Sequence, residues 1–155
     1  MIRMLVLMLG LIAGLAPAAI ALAATGDKVA ISGDNFTVEE KLHQATFTGN
    51  VIITQSRIKV TADKVVAFYG EGGATNIKSF EATGHVKIVT KDQTATGDRA
   101  TFDPKTQLLR LTGNVVVNNT AGQMKGPELL VDLSKNTSVF SGGKSGRVTG
   151  VFTSE

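Results

Sequence analysis

The spacing of small residues constrains this chain more than any other feature. Gly33, Gly49, Ala62, Gly84, Gly97, Gly113, Gly126 and Gly142 follow one another at steps of 16, 13, 22, 13, 16, 13 and 16 residues. The one long step carries an extra loop, Gly70 to Asn76. The neighbours repeat as well. Thr48-Gly49-Asn50-Val51, Thr83-Gly84-His85-Val86 and Thr112-Gly113-Asn114-Val115 are one motif. Ser32-Gly33-Asp34, Thr61-Ala62-Asp63, Thr96-Gly97-Asp98 and Lys125-Gly126-Pro127-Glu128 are a second. A repeat of about 29 residues is one supersecondary unit stacked on copies of itself, with a continuous interior.

Between these landmarks the apolar residues alternate with period two, the signature of half-buried strands. Phe47, Gly49, Val51 and Ile53 fall on one phase, and Thr46, Thr48 and Asn50 on the other. Phe80, Ala82, Gly84, Val86 and Ile88 repeat the pattern, as do Leu109, Leu111, Gly113, Val115 and Val117. A slip of one residue would turn each apolar set outward, so the register is well specified. Gln55-Ser56-Arg57, Lys91-Asp92-Gln93, Asp103-Pro104-Lys105 and Ser134-Lys135-Asn136 supply tight turns. The fold expected is all-β: a twisted antiparallel β-jellyroll, or rolled β-sandwich, built from repeats of about 29 residues and open at both ends. A glycine inside a strand marks a bulge, a bend or close approach of another backbone. Here a bend is favoured over simple relief of crowding, and both can hold.

The first residues read as a leader. Met1-Ile2-Arg3 gives a positive start, Met4 to Leu15 is apolar apart from two glycines, and Ala21-Leu22-Ala23 is a small-x-small cleavage site. The expected organisation is therefore a cleaved signal peptide at 1–23, one β domain at 24–145 and a flexible tail at 146–155. The chain has no cysteine, which excludes disulfides and thiolate metal sites. Its net charge of +3 is scattered, without the basic stripe of a nucleic-acid binder. His43 and His85 are far apart, and no zinc-protease, nucleophile-elbow or phosphate-loop motif occurs. Asp63 and Asp98 recur with the repeat, which points to a structural role. No enzyme activity and no cofactor are expected.

The leader, the recurrent Thr-Gly-Asn-Val, the small-Asp step and Gly126-Pro127-Glu128-Leu129 together resemble the OstA-like family. The likeness covers roughly residues 28–145. It implies an antiparallel jellyroll working in the periplasm as a bridge that carries lipopolysaccharide from the inner to the outer membrane. Acyl chains would ride in an apolar groove, and molecules would join head to tail through edge strands. One end would dock on a membrane-anchored homologous inner-membrane component. The other would dock on the periplasmic domain of an outer-membrane translocon. No nucleic acid is implied.

The residues expected to line that groove are Phe36, Val38, Phe47, Val51, Ile53, Ile58, Val60, Val86, Ile88, Phe102, Leu111, Val115, Val117, Leu129 and Val131. Lys59, Lys64, Lys78, Lys87, Arg99 and Arg110 fall mostly on the outward phase, a solvated face on which those near the rim can meet phosphates. The residues alone leave a second reading open: an exported structural β-repeat protein with a dry core and no lipid cargo. The exposed edges are expected near 28–38 and 128–142.

Overall fold

The structure is a computed structural model describing residues 20–23, 28–144 and 146–154. Its strands are β1 (Ile20–Ala23), β2 (Lys28–Ser32), β3 (Asn35–Glu39), β4 (Gln44–Gln55), β5 (Ile58–Tyr69), β6 (Ile77–Val89), β7 (Gln93–Asp103), β8 (Leu108–Asn119), β9 (Gly122–Asp132), β10 (Thr137–Ser141) and β11 (Thr149–Phe152). They form one antiparallel meander in the order β1-β2-β4-β5-β6-β7-β8-β9-β10, with β3 also on β4 and β11 also on β9. The sheet does not close on itself.

A line of bulges divides this sheet in two. The ladder is interrupted between Thr48 and Val51 in β4, between Thr83 and Val86 in β6, and between Thr112 and Val115 in β8. Each interruption faces a small-Asp step on the neighbouring strand, so the bulges lie at one level across the sheet. A bulge bends its strand and strengthens the twist. Repeated at one level, the bends crease the sheet. On one side lie β3, β10 and the adjoining segments of β4 to β9; this is the β3 half. On the other lie β1, β2, β11 and the remaining segments; this is the β2 half. The inner faces of both halves contribute to a single apolar core.

The core follows the crease. Its largest fully buried side chains are Ile31, Leu111, Val51, Val65, Val86 and Val115. Each stands within three residues of one of the repeated small residues. The turns at the far ends are fixed by their own side chains. Asp103 Oδ1 accepts from the backbone N–H groups of Lys105 and Thr106 at 2.8 and 3.2 Å. Asp132 Oδ1 does the same for Ser134 and Lys135, both at 3.0 Å.

The last segment differs from expectation, and the first is described only in part. Most of the expected leader lies outside the described residues, but Ile20–Ala23 pairs antiparallel with β2, Ile20 opposite Ile31. The segment 146–155 was expected as a loose tail. Instead Thr149–Phe152 adds to β9 opposite Gly122–Lys125, while β10 takes Glu128–Asp132. The bulge level splits the last edge of the sheet, and two short strands share what one long strand would otherwise cover.

Candidate functional site

The crease is built by one local device used three times. Gly49, Gly84 and Gly113 have φ of 78°, 78° and 80°, and Asn50, His85 and Asn114 follow at 47°, 48° and 48°. Two successive left-handed residues tolerate glycine and a short polar side chain, and little else. The polar side chain is tied to the facing acid. Asn50 Nδ2 donates to Asp34 Oδ2 at 3.0 Å, and Asn114 Nδ2 to Asp98 Oδ2 at 3.4 Å. His85 Nδ1 lies 2.7 Å from Asp63 Oδ2. An ionised carboxylate only accepts, so Nδ1 carries the proton there. The hydrogen bond to Asp63 raises the pKa of His85 above its ordinary value, and the Asp63 charge and the more distant Asp98 charge add to this. Asp63, Asp98 and His85 are therefore fastenings of the crease, on the outer surface of the sheet. Among the described residues, no cluster of acids and histidines could hold a metal ion.

The other small residues serve a different purpose. A Cβ on Gly97 would stand 2.8 Å from Leu111 Cδ1, and one on Gly126 would stand 3.1 Å from Phe140 Cδ1. Here glycine makes room for a core side chain. Both expected reasons for the repeat hold, one for each motif.

Inside the crease the fifteen expected groove residues all lie on the inner phase of the sheet, but they do not share one environment. Phe47, Val51, Val86, Ile88, Leu111, Val115, Val117 and Leu129 are buried. Ile53, Ile58, Val60, Phe102 and Val131 are half-buried. Phe36 and Val38 are 42% and 46% exposed. Ala45, Ile77, Leu109 and Phe140 join the half-buried set. The sequence reading omitted these four, although Leu109 already alternated with Leu111. Val29 and Ile31, also omitted, are buried on the inner face of β2. Their signal was the alternation within Lys28–Ser32, too short to stand out.

The inner surface is thus packed most tightly beside the crease, and further out buried residues such as Ile31, Ala67 and Ile88 stand among more open ones. Ile53, Ile58 and Val60 on the β2 half, with Phe36, Val38, Ala45, Phe102, Leu109 and Val131 on the β3 half, form the more open apolar strip, the candidate trough. Phe36 and Phe47 pack with tilted rings at 4.6 Å between centroids, and Phe80 and Phe102 stack at 6.5 Å. Apolar surface left in contact with water costs about 25 cal/mol per Å². A trough of this chemistry favours any apolar occupant and supplies no reactive group.

A creased, unclosed antiparallel sheet with aliphatic and aromatic inner faces defines the class: an open β-jellyroll. The sequence model described as "LptA/(LptD N-terminal domain) LPS transport protein" matches residues 30–137, and the chain belongs to that family. It is 29% identical over 152 residues to the lipopolysaccharide export system protein LptA of Escherichia coli K12, spanning 95% of this chain and 82% of that one. The LptA of Shigella flexneri matches to the same extent. Among solved structures, LptH of Pseudomonas aeruginosa, the LptA-homologous periplasmic component of the lipopolysaccharide transport device, superposes with a TM-score of 0.69. The superposition covers 81% of this chain and 95% of that one at 16% identity, a likeness of fold.

Proposed function

We propose that this protein is a periplasmic carrier in lipopolysaccharide export, holding acyl chains in the trough and joining head to tail into a bridge between the membranes. The observation that carries this reading is the trough itself. Inner-face side chains such as Ile53, Ile58 and Val60 stay half-open to solvent, whereas Val51 and Val115 on the same face are fully buried. Burial of acyl chains stabilises by about 0.8 kcal/mol per methylene, so several chains bind firmly without directed chemistry.

Bridging follows from the edges. β3 is exposed along its whole length, and β10 along nearly all of it. Free edges of this kind accept a strand from another chain, and a contact between unlike ends propagates as a filament. A membrane-anchored homologue at one end and an outer-membrane translocon domain at the other are the partners that suit such edges. The family assignment supports this reading.

The test is photo-crosslinking in cells. A photoreactive residue replaces Ile53, Ile58 or Val60, with outward-facing Thr37 and Lys64 as controls. The expected outcome is a lipopolysaccharide adduct at the three inner sites and none at the controls. Exported, folded protein with no inner-site adduct would return the chain to the dry structural reading.

A further inference from the structure

The two halves of the sheet are charged differently. In the β3 half the basic residues stand among acids. Arg99 pairs with Glu81 at 2.8 Å and Arg110 with Glu128 at 3.4 Å. In the β2 half, residues 51–62 carry Arg57 and Lys59 with no acid, and residues 86–96 carry Lys87 and Lys91 against Asp92 alone.

The fold gathers these four cations. Thr61 faces Lys87 and Lys59 faces Val89 across β5 and β6, which makes Lys59 and Lys87 diagonal neighbours on the outer face. Arg57 and Lys91 stand in the turns at the same end of those strands. All four are exposed, and none is in an ion pair among the described residues. Like charges grouped on one face repel one another, so the group is stabilised by an anion. Four cations against a single acid suit a multiply charged one. A phosphate monoester carries close to two charges and three strong acceptor oxygens.

What lies behind the cations narrows the source. Ile58 follows Arg57 directly, and Val60 follows Lys59; both belong to the half-buried lining of the trough. The apolar strip lies on the inner face of these strands and Lys59 and Lys87 on the outer one, while Arg57 and Lys91 stand in the turns at the strand ends, where the two faces meet. We propose that this rim, Arg57, Lys59, Lys87 and Lys91, takes the phosphate groups of the amphiphile whose acyl chains occupy the trough. The proposal rests on the lipid-carrier reading and adds an orientation to it: the phosphorylated head lies at the β2 half.

The test measures binding of two probes in detergent to the mature protein. One is a hexa-acylated glucosamine disaccharide bearing two phosphates; the other is the same lipid with both phosphates removed. Wild-type protein is expected to prefer the phosphorylated lipid by roughly tenfold, the combined size of four exposed, salt-screened contacts. The preference should shrink as salt rises. Arg57→Gln, Lys59→Gln, Lys87→Gln and Lys91→Gln combined should abolish the preference and leave binding of the dephosphorylated lipid unchanged. Removing the same charge from the other half, by Lys64→Gln, Lys78→Gln, Lys105→Gln and Lys135→Gln, should keep it.

Equal loss in both variants would reduce the effect to net charge and overturn the proposal. So would an unchanged preference in the rim variant. Competition by inorganic phosphate would show a site for the free ion rather than a head group. Equal binding of the two lipids by wild-type protein would overturn the rim alone, whereas binding of neither would overturn the lipid reading together with it.

Discussion

At the residue scale the crease depends on a few side chains with no slack. In Gly84→Ala the new Cβ would have to adopt a left-handed backbone and would stand 2.9 Å from Asp63 Cβ. We expect a loss of about 2 kcal/mol, read as a lower urea midpoint at unchanged slope. His85 makes the middle fastening responsive to pH, since the outer two use asparagine. Its folded pKa is raised by Asp63. Its contribution is therefore fully present below its unfolded value of about 6.5 and is lost as pH rises through the folded one. NMR titration should show the His85 pKa falling back toward its ordinary value in Asp63→Asn; an unmoved value would contradict the hydrogen-bond assignment. Asp103 and Asp132 have the opposite sign. The N–H of Thr106 and the hydroxyl of Ser134, respectively, are the main causes holding them below the usual carboxylate range. Those turns are secure at neutral pH and weaken as pH falls through the folded values. The repeat of Gly-Asn against small-Asp was plain in the sequence. The two different uses of its glycines were not, because φ and the facing side chain come from the partner strand.

At the element scale each long strand has a packed middle and a looser end. Leu111→Ala empties a site 1% exposed beside the crease and should cost about 3 kcal/mol. Ile58→Ala removes atoms from the half-open trough and should cost about 1 kcal/mol, with lipid capture falling more than stability does. Comparable losses in urea unfolding would mean that the trough is packed core after all. The long strands and their turns were legible because period two, turn residues and repeat all agreed. The inner phase was legible for the same reason, but alternation records only which side of the sheet a residue faces. It carries no measure of how closely other side chains cover a residue, and that coverage separates buried Ile88 from half-buried Val60 directly opposite it. β1 and β11 escaped notice because nothing in four residues makes a strand; they pair because β2 and β9 offer unoccupied edges.

At the scale of the whole molecule the edges decide assembly. Val38 stands on the inner phase of β3, where an added strand would lie alongside it. Lysine is a common device for blunting an edge. If copies join through β3 as proposed, Val38→Lys should hold the protein monomeric at concentrations where the wild type associates, with little loss of stability because the site is 46% exposed. Sedimentation velocity gives the answer, and an unaltered size distribution would exclude β3 as the joining strand. Head-to-tail joining and its partners were suggested only by the family likeness, which left open which end meets which partner, since edges become edges only once the sheet is built. The bulge line has a mechanical side as well. Strand pairing is interrupted at the same level in β4, β6 and β8, and within each half it continues apart from one shift at Phe68–Tyr69. Stiffness is therefore directional, as in card scored along one line. The score is also pinned, by the Asn50–Asp34, His85–Asp63 and Asn114–Asp98 ties on its outer side and by close packing on its inner side, so one line of side chains sets the angle between the two panels.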